Sequence, residues 1–253
     1  MRNAPPNSTR FGDPFVLFIS DLHLAPERPL PVQLFFRFVA EIATSAQALY
    51  ILGDFFEAWV GDDMLEQAFH QDISQALRQL NERGVRVFFI AGNRDFLLGE
   101  TFAQASGLTL LPDPTQIDLF DVPTLITHGD QFCTDDTLYQ TFRKQVRDPV
   151  WQHDFLAQPL SQRLAIAAKL RERSESAKSG KKPEIMDVNH ASIAAALAGT
   201  AIQRVIHGHT HRPARHDLDI NGKTCERWVL PDWYDTGGYL ECDESGCRLI
   251  SFS

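Results

Sequence analysis

Seven side chains that can bind a metal ion occur in five short segments of this chain, and each segment follows a hydrophobic run of strand length. They are Asp21 with His23, Asp54, Asn93, His128, and His207 with His209. Because ligands of α/β folds collect beyond the carboxyl ends of the strands, we expect these side chains to meet at one edge of a sheet. Carboxylate, amide and imidazole donors suit Mn²⁺, Mg²⁺, Fe or Zn²⁺, and two such ions can clamp a phosphoryl group. The pattern therefore predicts a phosphoester-cleaving metal centre.

The residue types within this set predict separate roles. Asp54 has two carboxylate oxygens that can reach two ions, so we expect it to bridge them. Asp21 and His23 are one residue apart, point to the same side of an extended segment and can chelate one ion. Asn93 and His128 would bind the other ion. Each motif alone fits an ordinary helix cap, turn or surface histidine, and only their joint occurrence at five strand ends favours the metal centre.

Hydrophobic runs predict the elements that must position these side chains. The runs are FVLFIS, ALYIL, VRVFFI, TLIT and RVI, and their continuity indicates strands covered on both faces. Apolar positions three or four residues apart predict one helix over 65–80 and another from Leu34 to Ile42. Strands that alternate with helices indicate a layered α/β fold. Short segments after residue 213 predict terminal antiparallel strands.

The distance between the last two ligand segments is unusually long. His128 and His207 are 79 residues apart, whereas a strand-helix-strand unit needs about 30 or more. We therefore expect an insertion over 133–190, with a helix from Ser161 to Lys178. Residues 163–182 carry seven Lys or Arg and two Glu in a chain of net charge −9. Such a basic lobe is expected to clamp an anionic substrate.

Composition limits the classes of protein that this chain can belong to. Its 253 residues, 43% of them hydrophobic, predict one domain over 14–253 that contains the insertion, and a polar flexible tail over 1–13. The negative charge argues against a general nucleic-acid binder. The sequence has no signal-peptide core and no apolar run long enough to span a bilayer. We expect the four cysteines to be reduced thiols of a cytoplasmic protein, in preference to a Cys242–Cys247 disulfide.

The order of the motifs resembles the calcineurin-like metallophosphoesterase superfamily. The chain carries ISDLHL, LGDFFEAW, GNRDF, THGDQ and HGHTHRP between residues 16 and 212. The resemblance implies a four-layer αββα sandwich and a dinuclear centre. It implies one ion on the residues matching Asp21, His23, Asp54 and His209, and a second on those matching Asp54, Asn93, His128 and His207. Arg94 stands where the superfamily usually has a histidine, so we expect it to stabilise the phosphoryl charge instead of donating a proton.

Longer strings resemble one family within this superfamily. LGDFFEAWVGDD, GNRDFLLG, HGDQFCTDD and IMDVN are similar to the UDP-2,3-diacylglucosamine diphosphatases of lipid A biosynthesis. That resemblance implies a helical cap and hydrolysis of a UDP-linked lipid by a hydroxide that two metal ions, expected to be Mn²⁺, activate. Asp54, Asn93 and Arg94 would be the catalytic residues. The implied substrate contacts are Asn93, Arg94, Asp136, Ser174, Lys178, Lys181 and His207.

Several assignments stay open at the level of sequence. The apolar residues of the insertion could line an acyl groove or only pack the cap, and Phe55, Phe56 and Trp59 are equally ambiguous. Those of the insertion are Leu138, Tyr139, Phe142, Val146, Val150, Trp151 and Phe155. His70, His153, His190 and His216 have no expected role, and His211 with Arg212 is expected to support the site or to pack.

The rival functions are a metallophosphoesterase acting on nucleotides or nucleic acid and a non-catalytic scaffold of the same fold. The basic insertion and Arg94 disfavour the first, and the full set of ligands disfavours the second. The resemblance further implies a monomer that does not bind nucleic acid. We expect this monomer to be peripheral on the cytoplasmic face of the inner membrane, where its lipid substrate resides.

Overall fold

Two β-sheets contain all five of the strands that the sequence predicts before the ligand segments. The computed structural model describes residues 14–178, 187–220 and 222–253, with only the backbone course for 173–178. The tail expected over 1–13 lies outside the described residues.

The first sheet has six strands in the order β11-β10-β1-β2-β3-β4. Its strands are β1 (Val16–Ile19), β2 (Ala48–Leu52), β3 (Arg86–Ile90), β4 (Thr109–Leu111), β10 (Gly237–Asp243) and β11 (Gly246–Phe252). The first four run parallel, and the hairpin β10–β11 adds to them antiparallel, through β10 and β1.

The second sheet has five strands in the order β5-β6-β7-β9-β8. They are β5 (Thr115–Leu119), β6 (Val122–Thr127), β7 (Arg204–His207), β8 (Ala214–Ile220) and β9 (Lys223–Val229). Strands β6, β7 and β9 are parallel, whereas β5 and β8 pair antiparallel at the edges. The terminal strands predicted after residue 213 are thus confirmed, and they complete both sheets.

Within the described residues, seven α-helices connect and cover the strands. They are α1 (Pro29–Arg37), α2 (Ala68–Glu82), α3 (Glu100–Ser106), α4 (Thr137–Val146), α5 (Pro149–Leu156), α6 (Leu160–Lys178) and α7 (His190–Leu197). A π-helical turn and a 3-10 turn prolong α1 to Ser45, and a 3-10 turn at Asp62–Glu66 precedes α2. The helices predicted over 34–42, 65–80 and 161–178 are therefore confirmed within a few residues.

Three buried apolar clusters separate four layers. Phe18, Leu52 and Ile90 of the first sheet pack with Ile126 and Ile206 of the second. Alternate strand residues point to opposite faces, so the outer face of the first sheet packs against α1, α2 and α3. The outer face of the second sheet packs against α7. This arrangement confirms the αββα sandwich.

Helices α4 to α6 fill the long gap between β6 and β7, as the spacing of the motifs predicts. Arg163 of α6 is 3% exposed, donates to Val60 O and forms an ion pair with Asp63 in the loop after β2. This buried guanidinium anchors the inserted helices, hereafter the cap, on the core.

The structure corrects two expectations. The ligand segments do not share one sheet: β1, β2 and β3 belong to the first sheet, and β6 and β7 to the second. Cys242 and Cys247 form a disulfide, because the β10–β11 register pairs them at a Cα–Cα distance of 4.1 Å. The turn sets this register, and the spacing in the sequence does not reveal it. Cys133 and Cys225 are buried free thiols.

Candidate metal centre and adjoining pocket

Seven of the described non-glycine residues have left-handed backbone conformations. Phe120 and Asp121 form the turn between β5 and β6, and the other five lie in the loops after β1, β2 and β7. Asp21, His23, Asp54, His209 and His211 have φ values between 51° and 67°. A non-glycine residue rarely adopts this region, and each instance costs on the order of 1–3 kcal/mol. Such strain persists only where the surrounding structure fixes the backbone, and it clusters at functional sites. The five residues therefore mark one constrained site.

Asp21 is fully buried and held by three donors. Its Oδ2 accepts hydrogen bonds from Ser20 Oγ (2.6 Å) and from His209 N (2.9 Å), and its Oδ1 lies 3.1 Å from His211 Nε2. Burial opposes ionisation, but the hydrogen bond and charge of His211 outweigh it and hold the pKa of Asp21 well below its usual range. Asp21 is thus held as a carboxylate anion.

Glycine lets the loop after β7 approach this carboxylate. A Cβ on Gly208 would lie 2.3 Å from both Asp21 Oδ2 and Ser20 Oγ. The loops after β2 and β3 approach each other in the same way, since a Cβ on Gly53 would lie 2.5 Å from Gly92 Cα. Any side chain at Gly208 or Gly53 would push the ligand loops apart.

Asp54 lies between two groups of imidazoles. Its Oδ2 is 3.8 Å from His23 Nε2, and its Oδ1 is 3.6 Å from His128 Nε2. Oδ1 also accepts a hydrogen bond from Arg94 N at 2.8 Å. The two carboxylate oxygens therefore face two different clusters, as a bridging ligand requires.

The potential ligand atoms form two clusters, in each of which they lie within 4.8 Å of one another. One cluster comprises Asp21, His23 and His211, and the other comprises Asp54, His128 and His209. Asn93 Oδ1 lies 3.0 Å from His128 Nε2 and extends the second cluster. Among the described residues, the buried Nε2 of His23 has no hydrogen-bond partner. This nitrogen and the mixed oxygen and imidazole donors fit two divalent cations.

The structure corrects the expected position of His207. It belongs to neither cluster: its Nδ1 lies 2.8 Å from Gly208 O, and its Nε2 lies 3.5 Å from Arg227 Nη1. Burial and the charge of Arg227 lower the pKa of His207 to about 3, so the ring is neutral. His207 is the last residue of β7 and pairs with Val229, whereas the loop that follows it carries His209 and His211 to the site.

Ionisation differs between the two imidazoles of the second cluster. Burial opposes protonation of His128, but the charges of Asp54, Asp130 and Asp21 prevail and raise its pKa to about 9. Burial and the positive charge of His128 lower the pKa of His209 to about 4. A cation bound there must displace the proton of His128, whereas His209 offers a free nitrogen.

Asp95 supports the ligand loops, and the sequence interpretation missed it. Its buried carboxylate accepts backbone hydrogen bonds from Gly92 N (2.8 Å), Phe55 N (2.7 Å), and Asp54 N and Phe56 N (both 3.3 Å). Burial and the charge of Asp54 raise its pKa to about 6. The carboxylate ties the loop after β2 to the loop after β3. An acidic residue two positions after the expected ligand Asn93 was the available signal.

Glu57 is a second missed carboxylate. It lies 3.0 Å from His23 Nδ1, 3.3 Å from Arg171 Nε, 3.7 Å from Arg94 Nη1 and 3.9 Å from Arg28 Nη1. Burial alone would raise its pKa, but the hydrogen bond from His23 and the nearby cations lower it to about 2. Glu57 thereby orients a ligand histidine and holds a cap arginine beside the centre.

A third missed carboxylate, Asp130, connects the cap to the loop that carries His128. Its Oδ2 accepts hydrogen bonds from Tyr139 Oη (2.5 Å) and Arg143 Nε (2.8 Å), both on α4. Tyr139 also stacks on His209, with ring centroids 5.9 Å apart. Helix α4 is thus fixed against the second cluster.

A pocket of about 510 Å³ runs from the metal ligands into the cap. Its polar end includes Asn93, Arg94, Asp136, His209 and His211. Its apolar wall is formed by Trp59, Val60, Phe96, Leu97, Leu138, Phe142, Val146, Trp151, Phe155, Ala167 and Leu170. Polar groups at one end and apolar groups beyond them suit an amphipathic ligand.

The pocket decides several assignments that the sequence left open. Trp59 lines the pocket, whereas Phe55 and Phe56, which belong to the same buried cluster, do not. Val150 is 68% exposed and is the one candidate of the insertion outside the lining. His211 lines the pocket and belongs to the first cluster, which was not expected of it.

The expected substrate contacts divide into three groups. Asn93, Arg94 and Asp136 line the pocket, but His207 does not. The side chains of Ser174 and Lys178, and all of Lys181, lie outside the described residues, so their contacts stay predictions. Arg171 and Arg212 line the pocket and were not expected to do so.

Comparison with known proteins places this geometry in a family. The sequence model of the calcineurin-like phosphoesterases matches residues 16–213, which include all the strands that lead into the centre. The chain belongs to the calcineurin-like phosphoesterase family.

Curated relatives of this phosphoesterase match it along most of their length. A protein of Aromatoleum aromaticum named UDP-2,3-diacylglucosamine hydrolase is 51% identical over 91% of this chain and 94% of its own. A protein of Stenotrophomonas maltophilia with the same name is 50% identical over 92% of this chain and 96% of its own. Both matches span more than nine tenths of this chain and of the relative.

Solved structures of low sequence identity also match this chain. A dimetal phosphatase from Danio rerio superposes with a TM-score of 0.49 at 14% identity, over 95% of this chain and 99% of that one.

In this chain, no helix among the described residues is both long and apolar enough to cross a membrane.

Proposed function

We propose that this phosphoesterase hydrolyses the pyrophosphate bond of UDP-2,3-diacylglucosamine, and that water thereby yields UMP and 2,3-diacylglucosamine 1-phosphate. The observation that carries the proposal is a pocket that joins two metal-ligand clusters to an apolar chamber beneath the cap. The names of relatives at about half identity support the same substrate.

Two divalent ions, which we propose to be Mn²⁺, would be held by the two clusters. Asp21, His23 and His211 would hold the first and Asn93, His128 and His209 the second, with Asp54 shared between them. When bound, such ions supply Lewis acidity that polarises the phosphoryl group and lowers the pKa of water. This set replaces His207 by His211.

Arg94 is proposed to bind the equatorial oxygens of the α-phosphoryl group. It lies at the polar end of the pocket next to Asn93, and its own backbone N–H donates to Asp54. The carboxylate of Glu57 lies 3.7 Å from the Arg94 guanidinium and orients it. A permanently charged guanidinium stabilises the negative charge that develops on these oxygens but cannot serve as a proton donor.

The apolar chamber is proposed to receive the acyl chains. Trp59, Phe142, Val146 and Trp151 contribute to a wall with few polar groups beyond Arg171. Burying acyl chains against such a wall stabilises the complex by roughly 0.8 kcal/mol for each methylene. The chamber would also exclude water from the reacting phosphate.

The lipid substrate further leads us to propose that the protein acts as a monomer on the cytoplasmic face of the inner membrane. Leu138 and Val150 of the cap are 78% and 68% exposed, and Leu138 also lines the pocket. Apolar side chains at a pocket rim suit lipid transfer from a bilayer. Flotation with anionic vesicles tests the membrane contact, and light scattering tests the oligomeric state.

The proposed activity is tested with purified protein, Mn²⁺ and synthetic UDP-2,3-diacylglucosamine. We expect UMP and the lipid phosphate in equal amounts, and the α-phosphorus should acquire ¹⁸O from labelled water. Asp54→Ala should abolish turnover while circular dichroism stays native, because both clusters lose their shared ligand. Faster cleavage of a soluble nucleotide diester than of the lipid by the native protein would contradict the proposed substrate.

A further inference from the structure

We propose that Tyr234 and Arg28 form a stacking platform for the nucleobase of the substrate, in a subsite outside the apolar pocket. The inference rests on the proposed function, because it concerns the nucleotide half of a nucleotide-linked lipid. The pocket accounts for the lipid half only, so the nucleoside must extend from the metal centre along another surface.

Tyr234 packs directly against the first metal-ligand cluster. Its ring centroid lies 5.7 Å from that of His23, with an interplanar angle of 24°, and 5.4 Å from that of His211. Neither Tyr234 nor Arg28 lines the apolar pocket. Tyr139, by contrast, lines that pocket and stacks on His209 of the second cluster. The two tyrosines thus flank different ends of the centre.

The platform is fixed to the metal centre by backbone contacts. Trp233 N donates to Asp21 O at 3.2 Å, and the Trp233 side chain is buried, with its Nε1 donating to Gly238 O. Arg28 Nη1 donates to His23 O at 3.0 Å. Arg28 and the residue that precedes Tyr234 are therefore each hydrogen-bonded to a residue of the first cluster.

Tyr234 is nonetheless 47% exposed. An isolated exposed aromatic residue is common on protein surfaces and implies nothing. Tyr234 differs because the Arg28 guanidinium lies over its ring, with Cζ 4.5 Å from the centroid, directly beside a proposed phosphate site. An aromatic ring and a guanidinium plane both stack on nucleobases, and the arginine also attracts the nucleotide phosphate.

The contribution of the base can be separated from that of the phosphate by comparing two ligands. UMP and ribose 5-phosphate present the same phosphate and sugar to the Mn²⁺-loaded protein, and only UMP carries uracil. Isothermal titration calorimetry should show that the native protein binds UMP roughly ten-fold more tightly than ribose 5-phosphate, as stacking of one base predicts.

Variants assign this preference to the platform. Tyr234→Ala should reduce the preference to less than about two-fold, Tyr234→Phe should preserve it, and Arg28→Gln should weaken it, because stacking needs the ring and the guanidinium plane but not the hydroxyl. Leu30→Ala is the control, since Leu30 is exposed at the start of α1 next to Arg28 and contributes no ring.

Equal binding of the two ligands to the native protein would overturn the platform, as would an unchanged preference in Tyr234→Ala or no measurable binding of UMP. Since binding is measured without turnover, this result is independent of the proposed activity. If the native protein hydrolyses UDP-2,3-diacylglucosamine but Tyr234→Ala still prefers UMP over ribose 5-phosphate as strongly, only the platform is rejected. If Tyr234→Ala loses the preference for UMP but the native protein does not hydrolyse that lipid, only the proposed substrate is rejected.

Discussion

Three histidines alternate in the segment 207–211, and their surroundings give them different chemistry. His207 is neutral and faces Arg227, His209 faces Asp54 and His128, and His211 contacts Asp21. The left-handed backbone at His209 and His211 turns both rings toward the centre. Backbone conformation therefore distinguishes the two proposed ligands from the third candidate of the same residue type.

Substitution of these histidines should distinguish their roles. His211→Ala should reduce the bound Mn²⁺ from two ions to one. The affinity of the first cluster for Mn²⁺ should fall more than about 100-fold, because loss of a residue that only contacts a ligand lowers metal affinity by about 10- to 100-fold. His207→Ala should retain both ions and lower the thermal midpoint, because the buried Arg227 loses its contact with the imidazole and keeps its ion pair with Asp187. Metal analysis after desalting measures the first effect, and calorimetry the second. Loss of an ion in His207→Ala alone would contradict the assignment.

The raised pKa of His128 predicts how metal binding depends on pH. In the metal-free protein the folded-state pKa is about 9, against an ordinary value of 6.5. Its protonation therefore stabilises the metal-free fold fully below pH 6.5, and this contribution disappears as pH rises through about 9. Since the proton must leave when a cation binds, metal affinity should rise with pH up to about 9 and then level off.

Calorimetric titration of Mn²⁺ at pH 7, in two buffers with different ionisation enthalpies, measures the protons released. We expect His128 to release about one proton when both metal sites of a molecule become occupied. Release of none at pH 7 would show that His128 is already neutral in the metal-free protein.

At the level of elements, the site depends on loops that are joined to each other by carboxylates. Asp95 connects the loops after β2 and β3, Asp130 connects the loop after β6 to α4, and Glu57 connects the centre to α6. Ligand positions and the position of the cap are therefore coupled through a few buried acids.

The anchor of α6 gives a prediction at this scale. Arg163→Ala should raise the KM for the lipid several-fold and increase amide hydrogen exchange in α6, because the ion pair with Asp63 and the contact with Val60 O are lost. Arg215→Ala is the control, since Arg215 forms ion pairs with Asp217 and Glu226 but lies on β8, outside the pocket. An unchanged exchange rate in α6 would contradict the role of Arg163.

Local periodicity explains which parts of the fold the sequence predicted. The runs that form β1, β2, β3, β6 and β7, and the apolar stripe of α2, depend on neighbouring residues only, so their positions were predicted closely. The division of strands between two sheets and the Cys242–Cys247 pairing depend on long-range register, which no local pattern contains. The choice of His211 over His207 depends on positive φ values, which for non-glycine residues leave no signal in the sequence.

At the scale of the whole molecule, charge and apolar surface are unevenly distributed. The chain has a net charge of −9, yet residues 163–182 of the insertion carry an excess of five positive charges. The described part of α6 contributes Ala167 and Leu170 to the wall of the pocket and Arg171 to its lining. An anionic head and an apolar tail would each find a complementary region.

Reshaping the chamber should change which chain lengths are accepted. Ala167→Phe places a large ring in the pocket and should lower kcat/KM for a long-chain substrate roughly ten-fold, while a short-chain analogue is hydrolysed nearly as before. Ala168→Phe, on the exposed side of the same helix, is the control. Equal loss for both chain lengths would indicate that the chamber does not hold the acyl chains.

The division of ligands between two sheets has a consequence for folding as well as for catalysis. Asp21, Asp54 and Asn93 follow strands of one sheet, and His128, His209 and His211 follow strands of the other. Cations bound by ligands from both sheets would link the two sheets across the interface where they pack. Because ions that bind only the folded state stabilise it by mass action, the supply of metal in the cell would govern how long each molecule lasts, and chelation would expose this interface to proteases.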